Sequence, residues 1–138
     1  MAGFSLKSNL NEVEYRNVRV ASQAYTIGDA VMKDTASDSI DVIPATSGTT
    51  HENILGIAME TVASTATSLL IAIIDPSQKW ECEVANTVSA NHNYQNMVLT
   101  DANTVNNTGT DSVTDSAIVQ QVGVIGAKGS FVFRGDST

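Results

Sequence analysis

Short apolar runs, each closed by a cluster of Gly, Pro, Asn, Asp or Ser, follow one another along most of this chain. That punctuation is the strongest constraint on its fold. A helix needs an apolar stripe repeating every 3.6 residues over several turns, whereas a strand needs only a few residues and alternates with period two. Lys79-Trp80-Glu81-Cys82-Glu83-Val84 alternates cleanly, with Trp80, Cys82 and Val84 on one face and Lys79, Glu81 and Glu83 on the other. Leu69–Ile74 is continuously apolar and reads as a core strand buried on both faces. Asp75-Pro76-Ser77-Gln78 between them is a common turn sequence with Pro at its second position, so the two runs are expected to form a β-hairpin.

The same reading applies elsewhere. Tyr25–Met32 is β-rich but interrupted at Gly28-Asp29, as a tight turn or bulge would interrupt it. Ile40–Ala45 contains Pro44, which lacks a ladder donor and places that strand at an edge or at its end. Asn53–Glu60 is a strand in which Gly56 admits the close approach of another backbone or a bulky ring. Residues 61–68 fit a loop or a weak helical turn, and His92–Gln95 a cap or short helix. Asn96–Thr100, Ile118–Ile125 (bulged at Gly123) and Ser130–Arg134 complete the strands, the last two joined by a Gly126–Gly129 turn. Asp101–Asp115, with Val105 as its one apolar residue before Val113, is expected to be a flexible loop or a pair of short turns. The expected fold is therefore all-β, a compact barrel or sandwich of about seven or eight strands. Its core is expected to comprise Ile27, Val31, Ile57, Leu70, Ile73, Trp80, Cys82, Val84, Leu99, Val119, Val124 and Phe131.

Composition narrows the function. The 138 residues carry 7 Lys and Arg against 15 Asp and Glu, a formal charge of −8, so phosphate backbones are repelled and no basic stripe overrides this. The polar surface is built instead from 14 Ser, 15 Thr and 11 Asn, which leaves too few charged residues for the faces of a helical bundle. No apolar run approaches the roughly 20 residues of a membrane helix. The start lacks the basic and long apolar regions of a signal peptide, so synthesis in a cytoplasm without processing is expected. The single Cys82 excludes an intramolecular disulfide and reads as a buried thiol.

Catalytic and cofactor patterns are incomplete. Gly123–Gly129 is Gly-rich but lies between strands, whereas a phosphate cradle needs a helix N-terminus. His51-Glu52 opens like a zinc-protease motif, yet Leu55 stands where the second His belongs. Asp34, Asp38 and Asp41 miss the spacing and terminal Glu of a calcium loop. Glu81 and Glu83 lie about 7 Å apart by strand rise and read as solvated residues of an exposed face rather than a glycosidase pair. No cofactor, no metal and no enzymatic activity are expected.

Residues 1–18 differ from the rest: apolar residues are sparse and no period is sustained. They read as an extended arm preceding a single β domain over 19–138. Phe4, Leu6, Leu10, Val13 and Tyr15 are its apolar points, and Arg16, with Arg19 just beyond it, offers cations for carboxylates on a partner.

The order of segments carries a resemblance. Tyr25–Val31, Pro44-Ala45-Thr46, Ile54–Glu60, Lys79–Asn86, Val98–Asp101 and a terminal Phe131-Val132-Phe133 together resemble the head decoration (cement) proteins of tailed bacteriophages, over about residues 20–134. The resemblance implies a small, mostly β, non-enzymatic protein on the outer surface of the virion. It implies attachment to the major capsid protein at symmetry axes, stabilising the shell, as a homo-oligomer with a trimer ahead of a dimer. An N-terminal arm often shares that contact, which makes Phe4, Leu6, Leu10, Tyr15, Arg16 and Arg19 the expected capsid-contact residues. The residues by themselves also fit a carbohydrate-binding or adhesion module, for which exposed Trp and Tyr would speak.

Overall fold

In the computed structural model, the residues described are 3–7, 13–34, 41–47, 49, 53–75, 77–85, 88–106 and 119–133. Leu10, Asp38, His51 and the stretch 107–118, on which several expectations rested, lie outside them. Among the described residues, eleven short strands make two antiparallel sheets, and there is no α-helix. The first sheet has six strands: β1 (Ser5–Leu6), β7 (Trp80–Cys82), β11 (Lys128–Phe133), β10 (Val119–Ile125), β8 (Asn96–Asp101) and β9 (Thr104–Asn106), in that spatial order. The second has five: β2 (Tyr15–Arg19), β6 (Ser68–Ile73), β5 (Ile54–Ala58), β3 (Ala30–Lys33) and β4 (Val42–Pro44). Neither closes into a barrel, although single parallel bridges join Val20, next to edge strand β2, to Val42 on the opposite edge strand β4, and Val84, just after β7, to Val105 on β9.

The main apolar cluster draws on both sheets. Trp80, Cys82, Met97, Leu99, Val105, Val119, Phe131 and Phe133 come from the first; Ala30, Ile54, Ile57 and Ala72 come from the second. A second cluster gathers Val20, Tyr25, Val31, Val42, Ala58, Leu69 and Ile71. Sequence neighbours Ala30 and Val31, Ile57 and Ala58, and Ile71 and Ala72 fall in different clusters. Successive side chains on a strand point to opposite faces, so the five-stranded sheet is apolar on both. That is why Leu69–Ile73 reads as a continuous run rather than an alternating one.

Several expectations change. The runs on either side of Asp75–Gln78 do not form a hairpin: β6 lies in one sheet and β7 in the other, and the turn (Gln78 N–H to Asp75 O, 3.0 Å) carries the chain between them. A turn sequence fixes a reversal of direction but not which strand the next one pairs with. The segment 101–115 is not loop throughout. Thr104–Asn106 forms β9, and its single apolar side chain, Val105, is fully buried. Ile27 and Val124 are 39 % and 38 % exposed instead of core. Ile27 sits on the turn before β3, and Val124 follows the bulge between Gln121 and Gly123, which shifts the alternation. Leu70, Ile73 and Val84 are half-buried. Pro44 does lie in an edge strand, and a β-carbon on Gly56 would collide with the carbonyl of Ala72 on β6. The β10–β11 hairpin turns through Gly126-Ala127, with Gly126 at a left-handed φ of 62°, the residue type such turns require.

The largest change concerns the expected free arm. Phe4 is only 3 % exposed and stacks on Phe133 with ring centroids 4.9 Å apart, and Phe133 meets Trp80 edge-on at 6.2 Å. Gly3 N–H donates to Asn103 O, Phe4 N–H to Gly28 O, and Lys7 N–H to Lys79 O. Phe4 and Leu6 stand two residues apart, which is strand spacing on one face; in so short a segment that period was too brief to register. Residues 15–19 likewise form a strand of the second sheet.

Candidate functional site

The expected contact residues separate into two groups. Phe4 belongs to the core and half-buried Leu6 packs against it, so both are spent on folding. Tyr15, Arg16 and Arg19 remain together on β2, and all three are exposed, Tyr15 by 55 %. Arg16 is ion-paired with Glu14. Arg19 Nε lies 2.6 Å from Asp41 Oδ1, across an open groove that Asn17, Ala21, Ser22 and Thr67 also line.

The ladder fixes which way the β2 backbone points. Ile73 N–H donates to Glu14 O, and Val20 N–H to Thr67 O. Register pairs Arg16 with Ile71 and Val18 with Leu69. In an antiparallel ladder alternate residues exchange hydrogen bonds with the partner strand. Glu14, Arg16, Val18 and Val20 therefore face β6, while Tyr15, Asn17 and Arg19 turn their N–H and C=O groups away from it. That outward side meets β4 at its C-terminal end, where Val20 bridges Val42 and Ala21 N–H reaches Val42 O at 3.3 Å.

A second exposed feature lies where the sequence suggests a cap or short helix at His92–Gln95, with the helical turn itself shifted to Ala90–His92. Ser89 caps a 3-10 turn, Ala90–His92, and leads into Tyr94, which is 75 % exposed at a left-handed φ of 69°. Gln121 holds this segment from below. Fully buried, it donates from Nε2 to Ser89 O and Asn93 Oδ1, each at 2.8 Å, while Tyr94 N–H donates to its backbone carbonyl at 2.6 Å. Two residues after buried Val119, Gln121 falls on the same buried face by ordinary strand alternation, where it serves as the anchor of a surface segment.

The remaining candidates for chemistry are committed to structure. Burial pushes the Cys82 thiol up to about 12, far from a reactive thiolate. Glu81 lies between Lys7 Nζ at 3.7 Å and Lys128 Nζ at 3.8 Å, the arrangement of a surface charge cluster. Trp80 is fully buried and is no platform for a sugar ring. Among the described residues, no three His, Cys, Asp or Glu side chains are grouped to hold a metal ion. No family model matches this chain, and no curated protein matches it in sequence.

Proposed function

We propose that this chain is a structural virion protein that binds the outer surface of a tailed-phage capsid at symmetry axes and stabilises the shell. The two sheets sharing one core are read as a β-sandwich. The observation that carries the proposal is the division of labour in the first 19 residues. Phe4 and Leu6 are built into the shared core, while β2 carries Tyr15, Arg16 and Arg19 with exposed side chains. The order of segments that resembles decoration proteins supports it, as does a Ser-, Thr- and Asn-rich composition suited to a solvated exterior. The partner is the major capsid protein, and the protein acts as a homo-oligomer, so that each weak contact is reinforced by its neighbours.

Co-sedimentation with expanded phage heads tests this. Wild-type protein should pellet with heads to a saturating level, and the triple substitution Tyr15→Ala, Arg16→Glu, Arg19→Glu should pellet at least tenfold less while keeping its far-UV circular dichroism. Wild-type protein that stays in the supernatant would refute the proposal. One observation favours the carbohydrate-binding alternative: the exposed, conformationally constrained Tyr94. Glycan-array binding abolished by Tyr94→Ala, with no binding to heads, would establish that reading instead.

A further inference from the structure

We infer that the segment from Ser89 to Asn96 is a binding site for neutral glycans. The Tyr94 ring is the platform for one face of a sugar, and the side-chain amides around it are partners for the hydroxyls. The inference takes up the exposed Tyr94 without resting on the carbohydrate-binding reading of the whole chain. The segment lies between β7 and β8 of the six-stranded sheet, whereas the proposed shell contacts lie on β2 of the other, so one does not occupy the other.

Local physics disfavours a tyrosine at this position twice. A φ of 69° is left-handed backbone, which glycine or asparagine adopts readily and a bulky side chain does not. Tyr94 is the one non-glycine residue at positive φ among the described residues. Its ring is also left in water, as the most exposed of the large apolar side chains described. Neither the turn nor the packing asks for a ring here. Strain of this kind persists where the surroundings enforce it, and it gathers at functional sites.

Here the surroundings enforce it from below. Fully buried Gln121 holds Ser89 O and Asn93 Oδ1, and its backbone carbonyl takes the Tyr94 N–H. Gln120 Nε2 donates to Tyr94 O and to Asn96 Oδ1, each at 3.3 Å. The main chain of Tyr94 is thus fixed on both sides before any ligand arrives, and a site ordered in advance loses little entropy on binding. The anchor itself is incompletely satisfied: Gln121 Oε1 is buried and has no partner among the described residues. An unpaired buried acceptor destabilises, so the fold carries a second local cost in holding this segment.

Chemistry selects the ligand. Val84–Thr100 contains no Asp, Glu, Lys or Arg, so no fixed charge in the segment would pair with a phosphate, a sulfate or a carboxylate. Asn91, Asn93, Gln95 and Asn96 flank Tyr94 instead, and Gln120 reaches its carbonyl. Each amide offers both donors and an acceptor, which matches hydroxyls that do the same. The exposed ring offers an apolar face to the C–H side of a pyranose. A protein partner would need a wider apolar centre. The other exposed large apolar side chains, Tyr15, Ile27 and Val124, belong to other parts of the fold.

A dense array of neutral oligosaccharides (of glucose, galactose, mannose and N-acetylglucosamine), printed beside sialylated and sulfated ones, reads the outcome on the full chain. Dense display is needed because a single ring binds weakly and multivalency raises the signal. Wild-type protein should bind at least one neutral glycan and gain nothing from added acid groups. Tyr94→Ala should lose about tenfold or more, as truncation of a central aromatic contact does, and Tyr94→Trp should retain the binding. Tyr94→Gly separates function from fold. It should lose the glycan equally while raising the denaturation midpoint, because glycine suits this backbone. No neutral glycan bound, binding confined to acidic glycans, binding intact in Tyr94→Ala, or a lower midpoint in Tyr94→Gly would each overturn the inference. Binding to heads that is lost in Tyr94→Ala, with no glycan bound, would overturn it by assigning the ring to the shell. Glycan binding by a protein that ignores heads would leave this inference standing and remove the shell-binding one.

Discussion

At Gly56 the β5 backbone lies so close to β6 that any β-carbon would run into the carbonyl of Ala72. The obstacle is main chain in the middle of a sheet and cannot rotate aside. Gly56→Ala is therefore expected to cost about 3 kcal/mol or more, at the upper end of overpacking losses, measured as a lower denaturation midpoint. Cys82 shows the opposite character, a residue whose chemistry burial suppresses. Its thiol should resist alkylation in the native protein and react once the protein is unfolded. Its ordinary value of 9.0 is raised to about 12, so the unfolded chain loses the proton first as pH rises. The contribution is whole below pH 9 and is lost progressively from there to about pH 12. Tyr25, raised above 10.0 chiefly by burial, acts in the same direction. The melting temperature should fall between pH 9 and pH 11, and fall less steeply in Cys82→Ala. An identical slope in the two proteins would mean that the thiol is solvated.

The first and seventh strands show what an element contributes beyond its residues. Trp80 is fully buried, its Nε1 has no hydrogen-bond partner among the described residues, and its ring meets Phe133, which in turn stacks on Phe4. Trp80→Ala and Phe4→Ala should each destabilise by about 3–5 kcal/mol, the usual loss for a buried aromatic ring, in a denaturant titration. A loss under about 1 kcal/mol at Phe4 would restore the free-arm reading. How far these strands were legible in the sequence follows from physics. Lys79–Val84 announces itself because its alternation persists over six residues with charged and apolar side chains on opposite faces. Phe4 and Leu6 offer only two points of the same period, and the partner that makes them a strand, Trp80 opposite Leu6, is remote in the chain. Pairing between distant segments is likewise why Asp75–Gln78 could be read as a turn but not as a passage between sheets. At the candidate site, the exposure of Tyr15, Arg16 and Arg19 suited their composition. The orientation of Asn17 depends on ladder parity, and the Gln121 anchor on the remote segment 89–94 that packs over it, and neither is written in local sequence.

The whole molecule joins an acidic, hydroxyl-rich exterior to a core that reaches into the first residues of the described chain. Such a unit holds its shape without disulfides. On this account, attachment is a property of assembled copies, and removing the contact side chains of β2 weakens binding without unfolding the protein. The proposed role makes the chain a fixed component of a phage particle. The most direct test is to count its copies per purified virion by quantitative mass spectrometry against the major capsid protein. The account predicts a constant ratio, set by the number of symmetry axes occupied and unchanged through repeated gradient purification. A trace amount that falls with each purification step would contradict it.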